Sequence, residues 1–246
     1  MSGLDWLTAR PVAHRGLHGG TIIENTASAV RAATDAGYAI EVDLQITADG
    51  DAVVHHDDTL GRLTQGTARL DGMTAPELKA IAYRTGSDRI LGLGELLDLV
   101  AGRVALLLEM KSRFDGDRRL PARVADILTS YAGPVAAMSF DPAQVGALRT
   151  LAPGLPRGIV AERRYVEGEW ARLSPVQRRS LAYLLHGYRS QPHFLAYRVG
   201  DLPAMAPLLL KHIFGMPLLA WTVRNAADER RAKRWADQMI FEGLRP

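Results

Sequence analysis

Short apolar segments alternate along this chain with longer stretches of helical periodicity, and that alternation constrains the fold more than any other feature. A βαβα order of this kind calls for a parallel sheet covered by helices. Strand-like segments fall at residues 11–14, 39–44 (with 52–56 just after), 104–110, 135–139, 157–160, 193–197, 218–223 and 238–241. Helical patterns fill the spaces at 26–36, 94–101, 120–130, 142–151, 175–185 and 226–236. Polar starts at Asn25, Thr26 and Ser139 to Asp141 precede two of them. With 246 residues the chain is close to the roughly 250 that one eight-unit α/β barrel uses, so a single domain over 1–246 is expected.

One interval breaks the rhythm. Residues 57–93 are rich in Gly, Thr and Asp, with one short helix at 76–81, and are read as a lobe inserted over one end of the barrel. Its mostly polar composition favours a soluble ligand over an acyl chain.

Composition narrows the function. Lys plus Arg number 30 against 27 Asp plus Glu, and the densest basic stretch, 224–235, is interrupted by Asp228 and Glu229. It reads as the solvated face of a helix, so no nucleic-acid partner is expected. The chain has no cysteine, which excludes disulfides, thiolate metal sites and a cysteine nucleophile. Its longest apolar runs, such as 104–108 and 207–210, fall far short of the ~20 residues of a membrane span. The N-terminal residues carry no secretory pattern, and a cytoplasmic location is expected.

The informative residues stand at strand ends. Glu41 and Asp43 are two apart, so the period of a strand puts both on one face, and Glu109 and Lys111 repeat the arrangement. Val12 and His14 share a face, as do Val54 and His56, whereas His55 points the other way and is read as structural. In a parallel barrel the inward face near the strand C-termini forms the mouth where ligands bind. Carboxylates converging there repel one another unless a hard cation, Mg²⁺, Ca²⁺ or Mn²⁺, joins them. His14 and His56 then flank it as proton donor and acceptor, while Arg15 and Lys111 suit phosphate oxygens. His18, His186, His193 and His212 carry no spacing signal.

The ordered series His14-Arg15-Gly16, Glu24-Asn25-Thr26, Glu41-Val42-Asp43 and Val53 through Asp57 resembles the glycerophosphodiester phosphodiesterase family. So do Leu63-Thr64 with Gly66, Glu109-Met110-Lys111, Ser139-Phe140-Asp141 and Trp221-Thr222-Val223. The resemblance implies a TIM (β/α)8 barrel with a small inserted subdomain after the second strand. It implies metal ligands at Glu41, Asp43 and Glu109, an acid/base pair at His14 and His56, and a phosphate held by Arg15 and Lys111. Phe140 and Trp221 match pocket-lining positions, Glu24 falls at or beside the metal, and Asn25 shapes the first loop. The last strand departs from the family, ending in Phe241-Glu242-Gly243 where Thr-Asp is usual, and Ile23 replaces the Pro common before Glu-Asn-Thr. The expected activity is metal-dependent hydrolysis of a glycerophosphodiester to glycerol 3-phosphate and an alcohol. The alternatives are cleavage of lysophospholipids by the same chemistry and a non-catalytic phosphate-binding barrel.

Overall fold

The computed structural model describes residues 3–246 except residue 167, and the side chain of residue 169 is also left aside. Ten strands form one sheet: β1 (Val12–Ala13), β2 (Ala39–Ile46), β3 (Ala52–Val54), β4 (Leu91–Gly92), β5 (Leu106–Met110), β6 (Val135–Ser139), β7 (Arg157–Ala161), β8 (Phe194–Arg198), β9 (Leu218–Val223) and β10 (Gln238–Phe241). Eight of them run parallel in the order β1, β2, β5 to β10, and the pairing of β10 with β1 closes the barrel. The expected (β/α)8 architecture is therefore present, with its strand segments within a few residues of those read from the alternation.

Strand period explains the two apolar layers. Val12, Ala39, Leu107, Met138, Val160, Phe194, Leu219 and Ile240 point inward and pack together, while Ala13, Ile40, Val42, Leu106 and Leu108 pack outward against the helices. Trp6 and Leu7, from the short helix Asp5–Ala9, join the inner cluster. Inside the barrel Gly158 leaves the room that the Phe194 ring fills, because a Cβ at Gly158 would stand 2.3 Å from that ring. Gly158→Ala is thus expected to destabilise the fold by about 1–3 kcal/mol, read as a lowered urea midpoint with an unchanged slope.

Helices follow the strands at Ala27–Asp35, Leu93–Val100, Arg119–Leu128, Pro142–Leu151, Pro175–Ala182, Met205–Phe214 and Ala226–Trp235. Asn225 caps the last of these and Asp141 the helix at Pro142, each side chain accepting from backbone N–H groups of the first turn. The helix Met205–Phe214 was not evident in the sequence. Its outer positions Met205, Leu209 and Ile213 are apolar and exposed, which weakens the contrast between its two faces.

The segment 52–56 is not a barrel strand. β3 runs antiparallel to the extended end of β2, pairing Leu44 with Val54, and continues the sheet to β4 outside the closed barrel. It stops at Val54, so His55 and His56 lie beyond it, with the His55 amide donating to Asp43 O at 2.9 Å. The inserted lobe is therefore bracketed by this antiparallel pair and precedes, rather than replaces, the helix Leu93–Val100. Its few large apolar residues, Leu60, Leu70, Leu78, Tyr83 and Ile90, gather with Val53 into a small core of their own.

Candidate active site

The same alternation that packs the barrel interior carries polar side chains to its mouth. His14 is two residues after the inward Val12, Glu41 and Asp43 are two and four after Ala39, and Glu109 and Lys111 are two and four after Leu107. Glu242 likewise follows the inward Ile240. The backbone at these ends still belongs to the ladder: His14 N donates to Phe241 O, Lys111 N to Leu44 O and Glu242 N to Val223 O.

Glu41, Asp43 and Glu109 are all buried and offer carboxylate oxygens within 4.8 Å of one another. Burial, then the charges of Asp43 and Glu109, push the Glu41 carboxyl well above the usual carboxylate range. Burial also works against Asp43, but Lys111, His56, Arg15 and His14 outweigh it and hold that carboxyl well below its ordinary value. Lys111 Nζ lies 2.8 Å from Asp43 Oδ1 and 2.6 Å from Glu109 Oε1, and those acids keep it charged despite burial. Glu41 Oε1, by contrast, is buried without a hydrogen-bond partner. A buried acceptor with no donor, in a cluster made only of hard oxygen ligands, is the setting a divalent cation satisfies, so these residues fit the expected metal.

The first loop is tied to the same acids. Arg15 and Asn25 both adopt left-handed backbone conformations. The Arg15 amide donates to Glu41 Oε2 at 2.9 Å and its Nε stands 3.1 Å from Asp43 Oδ2. Asn25 Nδ2 donates to Asp43 Oδ2 at 2.8 Å, and its Oδ1 accepts from the Asp43 amide, so Asn25 shapes the loop as expected. Gly16 is required here, because a Cβ would meet the Ala29 backbone at 2.8 Å.

His14 and His56 are each backed by a carboxylate. His14 Nδ1 lies 2.7 Å from Glu242 Oε2, which also accepts from Arg224. A carboxylate only accepts, so the His14 proton sits on Nδ1 and the Nε2 lone pair is left facing Glu41, 3.9 Å away. Burial lowers the His14 pKa, against the opposing pull of Glu242. The His14 hydrogen bond in turn holds the Glu242 carboxyl far below its usual range. His56 Nδ1 lies 2.8 Å from Asp57 Oδ1. From there a chain of pairs runs back to the acids: Asp57 to Arg62 at 2.6 Å, Arg62 to Glu24 at 2.6 Å and Glu24 to Arg15 at 2.8 Å.

His14, Arg15, Glu41, Asp43, Glu109 and Lys111 are thus brought into direct contact, and His56 joins through Asp57, Arg62 and Glu24. Arg15 and Lys111 are engaged by carboxylates rather than held free. His18, which showed no spacing signal, stands close enough to His14 and Glu242 to share a ligand with them. A cavity of about 550 Å³ opens from His56, Glu109 and Lys111 toward Phe114, Phe140 and Trp170. Phe140 lines it and packs edge-on against Trp221, which is not among its lining residues. Sequence reasoning missed Asp57, Arg62, Trp170 and the role of Glu242. A carboxylate directly after His56 and another at the end of the last strand were the available signals.

A closed (β/α)8 barrel whose mouth gathers buried acids and two carboxylate-backed histidines defines an enzyme of the barrel class. The glycerophosphoryl diester phosphodiesterase family matches residues 14–244, and the chain belongs to that family. A glycerophosphodiester phosphodiesterase of Caldanaerobacter subterraneus subsp. tengcongensis is 27% identical over 242 residues, covering 94% of this chain and 93% of that protein. An Oleispira antarctica phosphodiesterase, solved with the product sn-glycerol 3-phosphate, superposes with a TM-score of 0.75 at 20% identity, covering 94% and 91% of the two chains. A glycerophosphodiester phosphodiesterase of Thermotoga maritima gives 0.70 at 22% identity and 94% of each chain. Among the described residues no helix is long and apolar enough to cross a membrane.

Proposed function

We propose that the protein hydrolyses glycerophosphodiesters, splitting the phosphodiester with water into glycerol 3-phosphate and an alcohol. The observation that carries this reading is the convergence of Glu41, Asp43 and Glu109 with two carboxylate-backed histidines at one barrel mouth, in a chain of this family. Residues 1–246 act as one catalytic domain, with the lobe 57–93 supplying one wall of the substrate cavity through Arg62, Arg69 and Asp71.

Glu41, Asp43 and Glu109 would hold a divalent cation, Mg²⁺, Ca²⁺ or Mn²⁺, which when bound draws charge from the phosphoryl oxygens. His14 and His56 divide the proton transfers: the Nε2 of one takes the proton of the attacking oxygen, and the other, protonated, gives one to the leaving alkoxide. Glu242 and Asp57 position them by fixing the proton at Nδ1, so that Nε2 is the working atom. Arg15 supplies a planar fork and Lys111 a point charge for the phosphate oxygens, exchanging part of their present carboxylate contacts for the substrate. Phe140, backed by Trp221, forms the apolar wall of the cavity.

The cavity mixes cationic and acidic side chains along most of its length, which supports a soluble head group. Glycerophosphocholine and glycerophosphoethanolamine are expected to exceed a lysophosphatidylcholine, kept below its micelle concentration, in kcat/KM. Each methylene that found an apolar groove would contribute about 0.8 kcal/mol, so a lysolipid preferred tenfold or more would replace this reading with lysophospholipid cleavage. No turnover of any diester with Mg²⁺, Mn²⁺ or Ca²⁺ would leave the non-catalytic barrel in its place.

A further inference from the structure

A second cavity, of about 510 Å³, lies on the outside of the barrel between the helix Pro142–Leu151 and the segment 177–189. Its charge is one-sided. Arg118, Arg149 and Arg189 line it, and among the described residues none of the three makes an ion pair with a carboxylate. Among the described residues Asp141 is the one acid in the lining, and both its oxygens accept hydrogen bonds, Oδ1 from the Ala143 amide and Oδ2 from the Ser112 hydroxyl. Arg149 also acts on Arg157, whose pKa is lowered first by burial and then by that neighbouring charge. Three cationic side chains thus face one carboxylate here, without direct ion pairs, in contrast to the catalytic cavity, where Arg62, Arg69, Arg113 and Arg119 are each paired.

An independent observation points to a ligand. His186 lines this cavity and is 7% exposed. Its Nδ1 meets the Ser190 hydroxyl at 3.2 Å, while Nε2 is buried with no partner. A buried ring nitrogen without a partner is costly, and a ligand hydroxyl or P–OH hydrogen-bonded to it would relieve that cost. Burial keeps the ring neutral by pushing its pKa down to about 4, so it adds no charge to those of the three exposed arginines.

We propose that this groove is a binding site for a phosphate-bearing anion, held by Arg149, Arg189 and Arg118 with His186 Nε2 as a further, buried polar contact. Guanidinium forks match phosphate oxygens in pairs, and a cavity of this volume accommodates a small phosphomonoester. The site shares the Phe114 side chain with the catalytic cavity, and Asp141 reaches Ser112 beside Lys111, but no residue of the proposed acid/base or metal set belongs to it. The inference is independent of the phosphodiesterase reading.

The test follows the ring nitrogens of His186 by long-range ¹H–¹⁵N NMR while inorganic phosphate, or in a second arm sn-glycerol 3-phosphate, is titrated into the intact protein. A saturable His186 shift is expected with at least one of them. That shift should persist in Lys111→Ala, where the mouth has lost a phosphate contact. Arg149→Gln with Arg189→Gln should weaken the binding at least tenfold while leaving kcat and the melting temperature unchanged. The proposal is overturned by a His186 signal that neither anion moves, by a shift that disappears in Lys111→Ala, or by undiminished affinity in the double arginine variant. Saturation by inorganic phosphate at the lower concentration identifies the free ion as the occupant, and the reverse identifies an organic phosphomonoester.

Discussion

Glu41→Gln and Asp43→Asn are each expected to lower kcat/KM by about 10³-fold or more, because each removes a charged ligand from a cation worth several kcal/mol to a phosphoryl-transfer transition state. The same loss is expected for the wild-type protein in EDTA, with recovery on adding back Mn²⁺, Mg²⁺ or Ca²⁺. The two variants should differ in stability. Three buried carboxylates repel one another in the metal-free protein, and Glu41 bears the largest part of that strain, its carboxyl being raised by burial, Asp43 and Glu109. Glu41→Gln should therefore keep or raise the melting temperature of the stripped protein while abolishing the rise that saturating cation produces in the wild type. Asp43→Asn should lower it, because Arg15, Asn25 and Lys111 all lose a charged partner. Calorimetric titration of the stripped proteins with Mn²⁺, beside the melting curves, checks both statements. Undiminished activity in chelator would remove the cation from the mechanism.

His14→Ala and His56→Ala are expected to reduce kcat by about 10²–10⁴-fold each, the range of general acid–base catalysis, with little change in cation affinity. Glu242→Gln and Asp57→Asn should fall between these variants and the wild type. In each the histidine keeps its place but loses the acceptor that fixes its proton at Nδ1. The positioning role predicts a further signature: the NMR tautomer equilibrium of His14 should shift in Glu242→Gln, which a loss confined to packing would not produce. His55→Ala serves as the control. Its ring is buried beside the working residues, so the variant should lose stability and keep most of its turnover. Equal losses in His55→Ala and His56→Ala would overturn the assignment of the acid/base role to His56 rather than His55.

Much of the candidate site was legible because it is written in local periodicity. Glu41 with Asp43, and Glu109 with Lys111, are two residues apart on strands whose neighbours alternate between core and helices, so their shared direction follows from the pleat alone. The interval 57–93 stood out as an interruption of the βα rhythm, and its polar composition as favouring a soluble ligand. The helix Met205–Phe214 is less legible, because Met205, Leu209 and Ile213 make much of its outward face apolar. The segment 52–56 has the alternation of a strand and is partly one, but alternation cannot tell a parallel barrel strand from an antiparallel extension beside it.

The direction of each inward side chain, the succession of βα units and the acidic character of the mouth were thus determined by neighbouring residues along the chain. Which groups meet was decided by closure and by loop packing. Glu242 reaches His14 only because β10 pairs with β1, joining positions 228 residues apart. The line from His56 through Asp57, Arg62 and Glu24 to Arg15 crosses from the lobe to the first loop, and Lys111 settles between two acids from different strands. Such contacts depend on long-range distances, which barrel closure and the docking of the lobe set together, and no local pattern of apolar and polar residues encodes them.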